Sequence, residues 1–354
     1  MLLFLIAIVL GVHLLLVDLA MAGPLVCVWL DWRATRYGDA IAFQAGRTLA
    51  RTATWALTLG ILLGIVLLAV RWWQDDGSYF AAVAVVPRSR LWFAGAELLF
   101  YFACMGAYSG LWHRWRSWRL AHRALAVAAA TNLLLHFPAL FAIFSVVSTR
   151  PELLGETLDS AAYRRLLIDP EVLSRVLHVW LAALAVSGAA VMAIGMRLAT
   201  RVPEPAAARS LTRHGAVVAL VPTLLQIPAG FWVAWAMPES ERAVLLGGDW
   251  LAGGLFVVSL LLALWLMHSL AGIALGNDAA PQIRRALLTL CVLVLLMVGT
   301  RARLDAGRQT AWVQGASAER MAIAALSANG AARADAPPAT KSEQFQPVTL
   351  RNLP

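Results

Sequence analysis

The sequence predicts an all-α, polytopic membrane protein with about eight transmembrane helices, arranged as two four-helix bundles. Three observations predict it. Of 354 residues, 60% are hydrophobic and 14% are charged, whereas a soluble domain is about half apolar and about a quarter charged. Mean hydropathy is +0.71. The apolar residues gather into eight runs, and about 20 such residues span a bilayer. In lipid the backbone must satisfy its own hydrogen bonds, so the runs are helices. No alternating ten-residue pattern suggests a barrel.

The first run covers 3–29 and the second 52–70. The third, fourth and fifth cover 91–111, 124–146 and 172–199, and the sixth and seventh 217–236 and 252–275. The eighth, 286–299, is short and is expected to extend to either side. Ala20-Met21-Ala22 looks like a signal cleavage site. The start has no Lys or Arg, however, and the apolar run continues through residues 25–30, so helix 1 reads as a retained span.

Arginines set the expected orientation. Arg33, Arg36, Arg47 and Arg51 follow helix 1. Arg114, Arg116, Arg119 and Arg123 follow helix 3, and Arg197, Arg201, Arg209 and Arg213 follow helix 5. Arg284 and Arg285 follow helix 7. The other loops hold Asp75, Asp76, Glu152, Glu156, Asp159, Asp169, Glu171, Glu239, Glu241 and Asp249, with a minority of arginines. The positive-inside rule puts the first set in the cytoplasm and both termini outside. The expected location is thus a bacterial inner membrane. The net charge of +9 then reflects topology, not nucleic-acid binding. Tryptophans near helix ends (Trp29, Trp32, Trp72, Trp73, Trp112, Trp115, Trp235, Trp250) read as an interfacial belt.

Residues 1–299 form the predicted membrane domain. Residues 300–354 form an extracytoplasmic segment, too poor in apolar surface to fold alone, that is either partly disordered or held by a partner. The three cysteines, Cys27, Cys104 and Cys291, lie in apolar helices and form neither a haem-attachment nor a zinc spacing; they read as buried packing residues.

Ionisable groups inside the spans carry the functional signal, because such groups are costly in lipid. His13 and His136 lie at nearly the same depth on helices 1 and 4, and His178 opens helix 5. Imidazoles on facing helices commonly hold a haem iron. The expected cofactor is therefore one or two non-covalent b haems, with His13, His136 and His178 as candidate iron ligands and His13 and His136 as an opposed pair. Each ring has a plainer reading, a packed histidine bonded to a neighbouring helix. His214 and His268 read as snorkelling groups near the inner ends of helices 6 and 7, and His113 and His122 as interfacial. Asp18 and Glu97 are the acidic residues in the spans, read either as a proton relay or as buried hydrogen-bonding groups.

The order of segments resembles subunit I of cytochrome bd-type quinol oxidases over roughly residues 1–315. His13 in its apolar run is similar to the family's helix 1 histidine. The link Trp72-Trp73-Gln74-Asp75-Asp76-Gly77-Ser78-Tyr79 is similar to its aromatic, polar connection between helices 2 and 3. Gly106-Ala107-Tyr108-Ser109-Gly110-Leu111-Trp112 resembles the end of helix 3, and Thr131-Asn132-Leu133 the start of helix 4. Val176-Leu177-His178 resembles the segment bearing a low-spin haem ligand. Gly307-Arg308-Gln309-Thr310-Ala311-Trp312 resembles a G-R-Q-P-W segment without its proline.

The chain departs from that pattern as well. Helix 3 carries Glu97 where the family has two glutamates. The loop between helices 6 and 7 spans only about 237–250, and Met267 lies toward the inner end instead of opposite the helix 5 histidine. With the resemblance and its departures together, the expected function is a b-type cytochrome subunit. It would carry electrons between the quinone pool and a periplasmic cytochrome c or multihaem partner, alongside other membrane subunits. The alternatives are quinol oxidation with oxygen reduction and a haem-free scaffold.

Overall fold

The computed structural model describes residues 2–74, 77–112, 118–155, 157–203 and 205–306. They form helices α1 (Leu2–Tyr37), α2 (Ala40–Trp73), α3 (Gly77–Val85), α4 (Arg88–Gly110), α5 (Arg119–Val147), α6 (Ser160–Leu167), α7 (Pro170–Ala199), α8 (Pro205–Ala236), α9 (Glu239–Ala243) and α10 (Trp250–Ala274). A final helix, α11, covers Ala280–Ala306. Eight of these, α1, α2, α4, α5, α7, α8, α10 and α11, are long and apolar enough to cross a membrane. The protein is a polytopic helical membrane protein, as its composition predicts.

The helices outrun the apolar stretches, because polar turns with good helix formers continue them past the hydrocarbon. Gly38, at φ +66°, reverses the chain after α1. The Asp39 carboxylate then accepts from the Ala42 N–H at 2.9 Å, an N-cap that starts α2 twelve residues before its apolar run. Arg47 and Arg51 therefore stand on a helix and not in a loop. Asp169 caps α7 in the same way, accepting from the Glu171 N–H at 2.9 Å. The eighth span extends at both ends, so Arg301 and Arg303 belong to α11. Helices α3, α6 and α9 are too short to announce themselves by periodicity.

Close approach between spans is set by small residues. A β-carbon at Gly188 would sit 2.4 Å from the backbone nitrogen of Ala219, and one at Gly215 would sit 2.7 Å from that of Met192, so α7 and α8 touch backbone to backbone. On α1 and α2, Gly23 faces Ala53 and Gly60 faces Val17. One apolar core joins the first four spans to α7 through residues such as Leu30, Leu49, Tyr101, Leu133 and Ala183. A second joins α7, α8, α10 and α11 through Met192, Ala219, Leu266 and Ile283. Helix α7 is common to both, so the two groups of four share a wall.

Three side chains differ from expectation. Cys291 is exposed on α11, facing outward from the bundle. Trp112 is buried, its ring packed against Gly46 and Phe43 of α2 and Leu30 of α1, and is not part of the exposed belt that includes Trp72, Trp73, Trp235 and Trp250. His122 is also buried: its ring stacks on Tyr108 at 4.1 Å and Nε2 donates to the Tyr108 carbonyl at 2.8 Å. His113 and the 307–354 segment lie outside the described residues.

Candidate functional site

The three predicted histidines stand on α1, α5 and α7, which pack against one another. Their level follows from contacts between neighbouring spans. The Tyr101 hydroxyl of α4 donates to the Ala20 carbonyl of α1 at 3.1 Å. The Asn132 amide of α5 donates to the Glu97 carbonyl of α4 at 2.9 Å. The Trp180 indole of α7 donates to the Leu134 carbonyl of α5 at 2.6 Å. Stepped along the helices at about 1.5 Å per residue, these contacts place residues 13, 94, 136 and 178 within about one helical turn of one level. His178 is therefore not above the other two, as its place near the start of a span suggests, but beside them.

His13 sits in the α1–α2 seam. Its Nδ1 lies 2.8 Å from the Gly60 carbonyl oxygen. A carbonyl only accepts, so Nδ1 carries the proton and Nε2 holds the free lone pair. Gly64, one turn along α2, makes room for the ring: a β-carbon there would come within 3.1 Å of Cε1.

His136 lies on the α4 side of α5. Its Nδ1 is 3.8 Å from a Glu97 carboxylate oxygen, and its ring meets the edge of Phe93 at 5.2 Å between centroids. Its Nε2 and the Glu97 Oε2 are both out of solvent without a hydrogen-bond partner. The Nδ1 of His178 is likewise buried and unpartnered, with Gly230 of α8 alongside at 3.9 Å from Cε1. Buried polar atoms are nearly always paired, and among the described residues His136 Nε2 and His178 Nδ1 are two imidazole nitrogens that are not. His13 and His136 have different neighbours, α2 for one and α4 for the other, so the fold brings the three rings to one level without pairing them directly.

Asp18, a turn and a half further along α1, is buried and forms no ion pair among the described residues. His214 donates to the Ser210 carbonyl at 2.7 Å within its own helix, and His268 packs beside Trp265. No three of His, Cys, Asp and Glu cluster as a metal-ion site among the described residues.

Sequence reasoning missed the partners that hold these rings. Gly60 and Gly64, spaced by four on α2, are visible as a small-residue pair but do not announce a histidine. Near the end of the bundle where α1 begins, Arg301 of α11 donates to Ser145 of α5 at 2.7 Å, and Arg175 donates to the same hydroxyl at 3.3 Å and to Glu171 at 2.6 Å. Arg150 ties Asp169 and Glu171 together at 2.9 and 3.0 Å. Glu171 and Arg175 are an i,i+4 pair, but nothing in the linear order joins them to Ser145, Arg150 or Arg301.

No family model and no curated protein matches the sequence. Among solved structures, the bd oxidase from Geobacillus thermodenitrificans superposes with a TM-score of 0.68, covering 87% of this chain and 87% of that chain at 15% identity. The fold is that of a bd oxidase. The expected bd-like arrangement of spans is thus present although few residues are shared.

Proposed function

We propose that the chain is a membrane-embedded b-type cytochrome subunit of a respiratory complex, carrying electrons between the quinone pool and a periplasmic cytochrome c or multihaem partner. The observation that carries this reading is that three imidazoles stand within about one helical turn of one level on α1, α5 and α7, each with a ring nitrogen that has no hydrogen bond among the described residues. The residues fit the group. His13 Nδ1 donates to the Gly60 carbonyl, the usual way a protein orients an iron-binding imidazole and fixes its tautomer. His178 and His136 offer buried nitrogens that no described residue completes. In this reading His178 and His13 would each hold a b haem, one or two in all, and His136, which faces α4 where His13 faces α2, would be a further ligand and not a partner opposed to His13. Haem supplies one-electron carriage; the chain fixes spacing and tunes potential through ligands and burial.

Asp18 and Glu97 are the proton-relay candidates of this reading, Glu97 through its place beside His136. In this reading the arginine bias argues for α2's beginning on the cytoplasmic side of a bacterial inner membrane and both termini outside, with the segment that follows α11 meeting a partner. The bd-oxidase fold favours a second reading, quinol oxidation coupled to oxygen reduction. Purified protein separates them. A Soret band with a reducible alpha band supports either cytochrome reading and excludes the haem-free scaffold. Oxygen uptake with a quinol supports the oxidase, and its absence alongside reduction by quinol supports the electron carrier.

A further inference from the structure

At the beginning of α2, away from the histidines, Gln44, Arg47, Thr48, Arg51, Thr52 and Trp55 line an open groove of about 450 Å³. These positions recur at helical spacing, so they form one face. Arg33, Arg71, Arg123, Arg150, Arg175, Arg213, Arg301 and Arg303 each face a carboxylate. Arg47 and Arg51 face none among the described residues, and the Arg47 Nε is out of solvent with no partner. Thr48 and Thr52 donate their hydroxyl protons to Gln44 and Thr48 carbonyls at 2.9 Å, so they add acceptors, not donors. The groove is thus a site of two unpaired positive charges.

The face continues in a definite order. Trp55 is 67% exposed, and Leu59, Leu62, Ile65 and Val66 follow it, all exposed. From Arg51 to Leu62 is roughly 16 Å along the helix, close to half of a hydrocarbon core of about 30 Å. Charge, then indole, then aliphatic surface is the polarity order of one leaflet. We propose that this groove binds the phosphate of an anionic phospholipid, whose acyl chains lie along the Trp55–Leu59–Leu62 face. The two guanidiniums select a headgroup with net negative charge over a zwitterionic one, whose ammonium they repel. This assignment is independent of the haem reading.

Native mass spectrometry of the full chain in detergent, titrated with phosphatidylglycerol or phosphatidylcholine, tests it. The wild type should retain phosphatidylglycerol in preference to phosphatidylcholine. R47Q/R51Q should retain phosphatidylglycerol roughly thirty-fold less well, from about 1 kcal/mol per basic residue, while R47K/R51K keeps most of it and shows that the helix is intact. Equal retention by wild type and R47Q/R51Q overturns the proposal, as does equal retention of the two lipids. Displacement by inorganic phosphate at matched concentration also overturns it, since a free anion is then the ligand.

Discussion

The Nδ1 of His13 lies 2.8 Å from the carbonyl oxygen of Gly60, across the seam between α1 and α2. One contact sets three properties of that ring: its tautomer, its tilt, and the nitrogen left available. Gly64 is the other half of the arrangement, because a β-carbon there would come within 3.1 Å of Cε1, tight enough that the ring would have to shift.

Gly64→Val should therefore act on His13 without touching it chemically. A β-carbon 3.1 Å from Cε1, followed by two methyls, moves the ring off the Gly60 carbonyl. Haem retention should weaken roughly tenfold, as when other ligating histidines lose the hydrogen bond that orients them. Haem per protein after gel filtration checks this, and an unchanged ratio means that His13 is a packing residue.

Gly188→Leu should separate α7 from α8. The added side chain meets backbone at 2.4 Å, which cannot yield as a side-chain tip can. Overpacking costs about 1–3 kcal/mol, and this site lies on the helix that both cores share. Thermal unfolding followed by circular dichroism should show the drop.

Asp31→Ala should destabilise the opposite end of α1. Asp31 is buried, and Arg123 reaches it from α5 at 2.6 Å while also donating to Thr35 at 2.7 Å. Removing one partner of a buried pair costs about 3–5 kcal/mol. The lower end applies, since Arg123 keeps Thr35. Chemical unfolding midpoints of wild type and variant measure the difference.

The pH response should centre on Asp249. The Arg303 guanidinium, bonded at 2.5 Å, and the Leu251 and Ala252 N–H groups hold its carboxyl below the usual carboxylate range. A depressed native pKa means that the stabilisation is fully present above the unfolded value of about 4 and is lost as pH falls through the lower native value. Loosening of the α10–α11 junction should thus begin only below about pH 4, and Asp249→Asn should remove that acid step. Hydrogen exchange at residues 249–253 reads it out.

Much of this architecture is legible in the linear chain. The eight spans follow from apolar runs, because lipid leaves the backbone no alternative to helix. The shared depth of His13 and His136 follows from counting along those runs. Helix ends are less legible: Asp39 and the residues after it carry α2 well beyond the hydrocarbon, and apolarity does not register that. The level of His178 is also obscured, since α7 starts at Pro170, before the apolar stretch. The environment of each ring is not legible at all. Gly60, Glu97 and Trp180 reach their partners across 46 or 47 positions, or 39, and only packing decides which faces meet. The same holds for Arg301 and Ser145, 156 positions apart.

A pyridine haemochrome assay on the purified chain, repeated on His178→Ala, bears most directly on the proposed role. The wild type should carry one or two b haems per chain, and the variant should carry fewer. A wild-type chain without a Soret band, or a variant whose haem content and spectrum are unchanged, would contradict it.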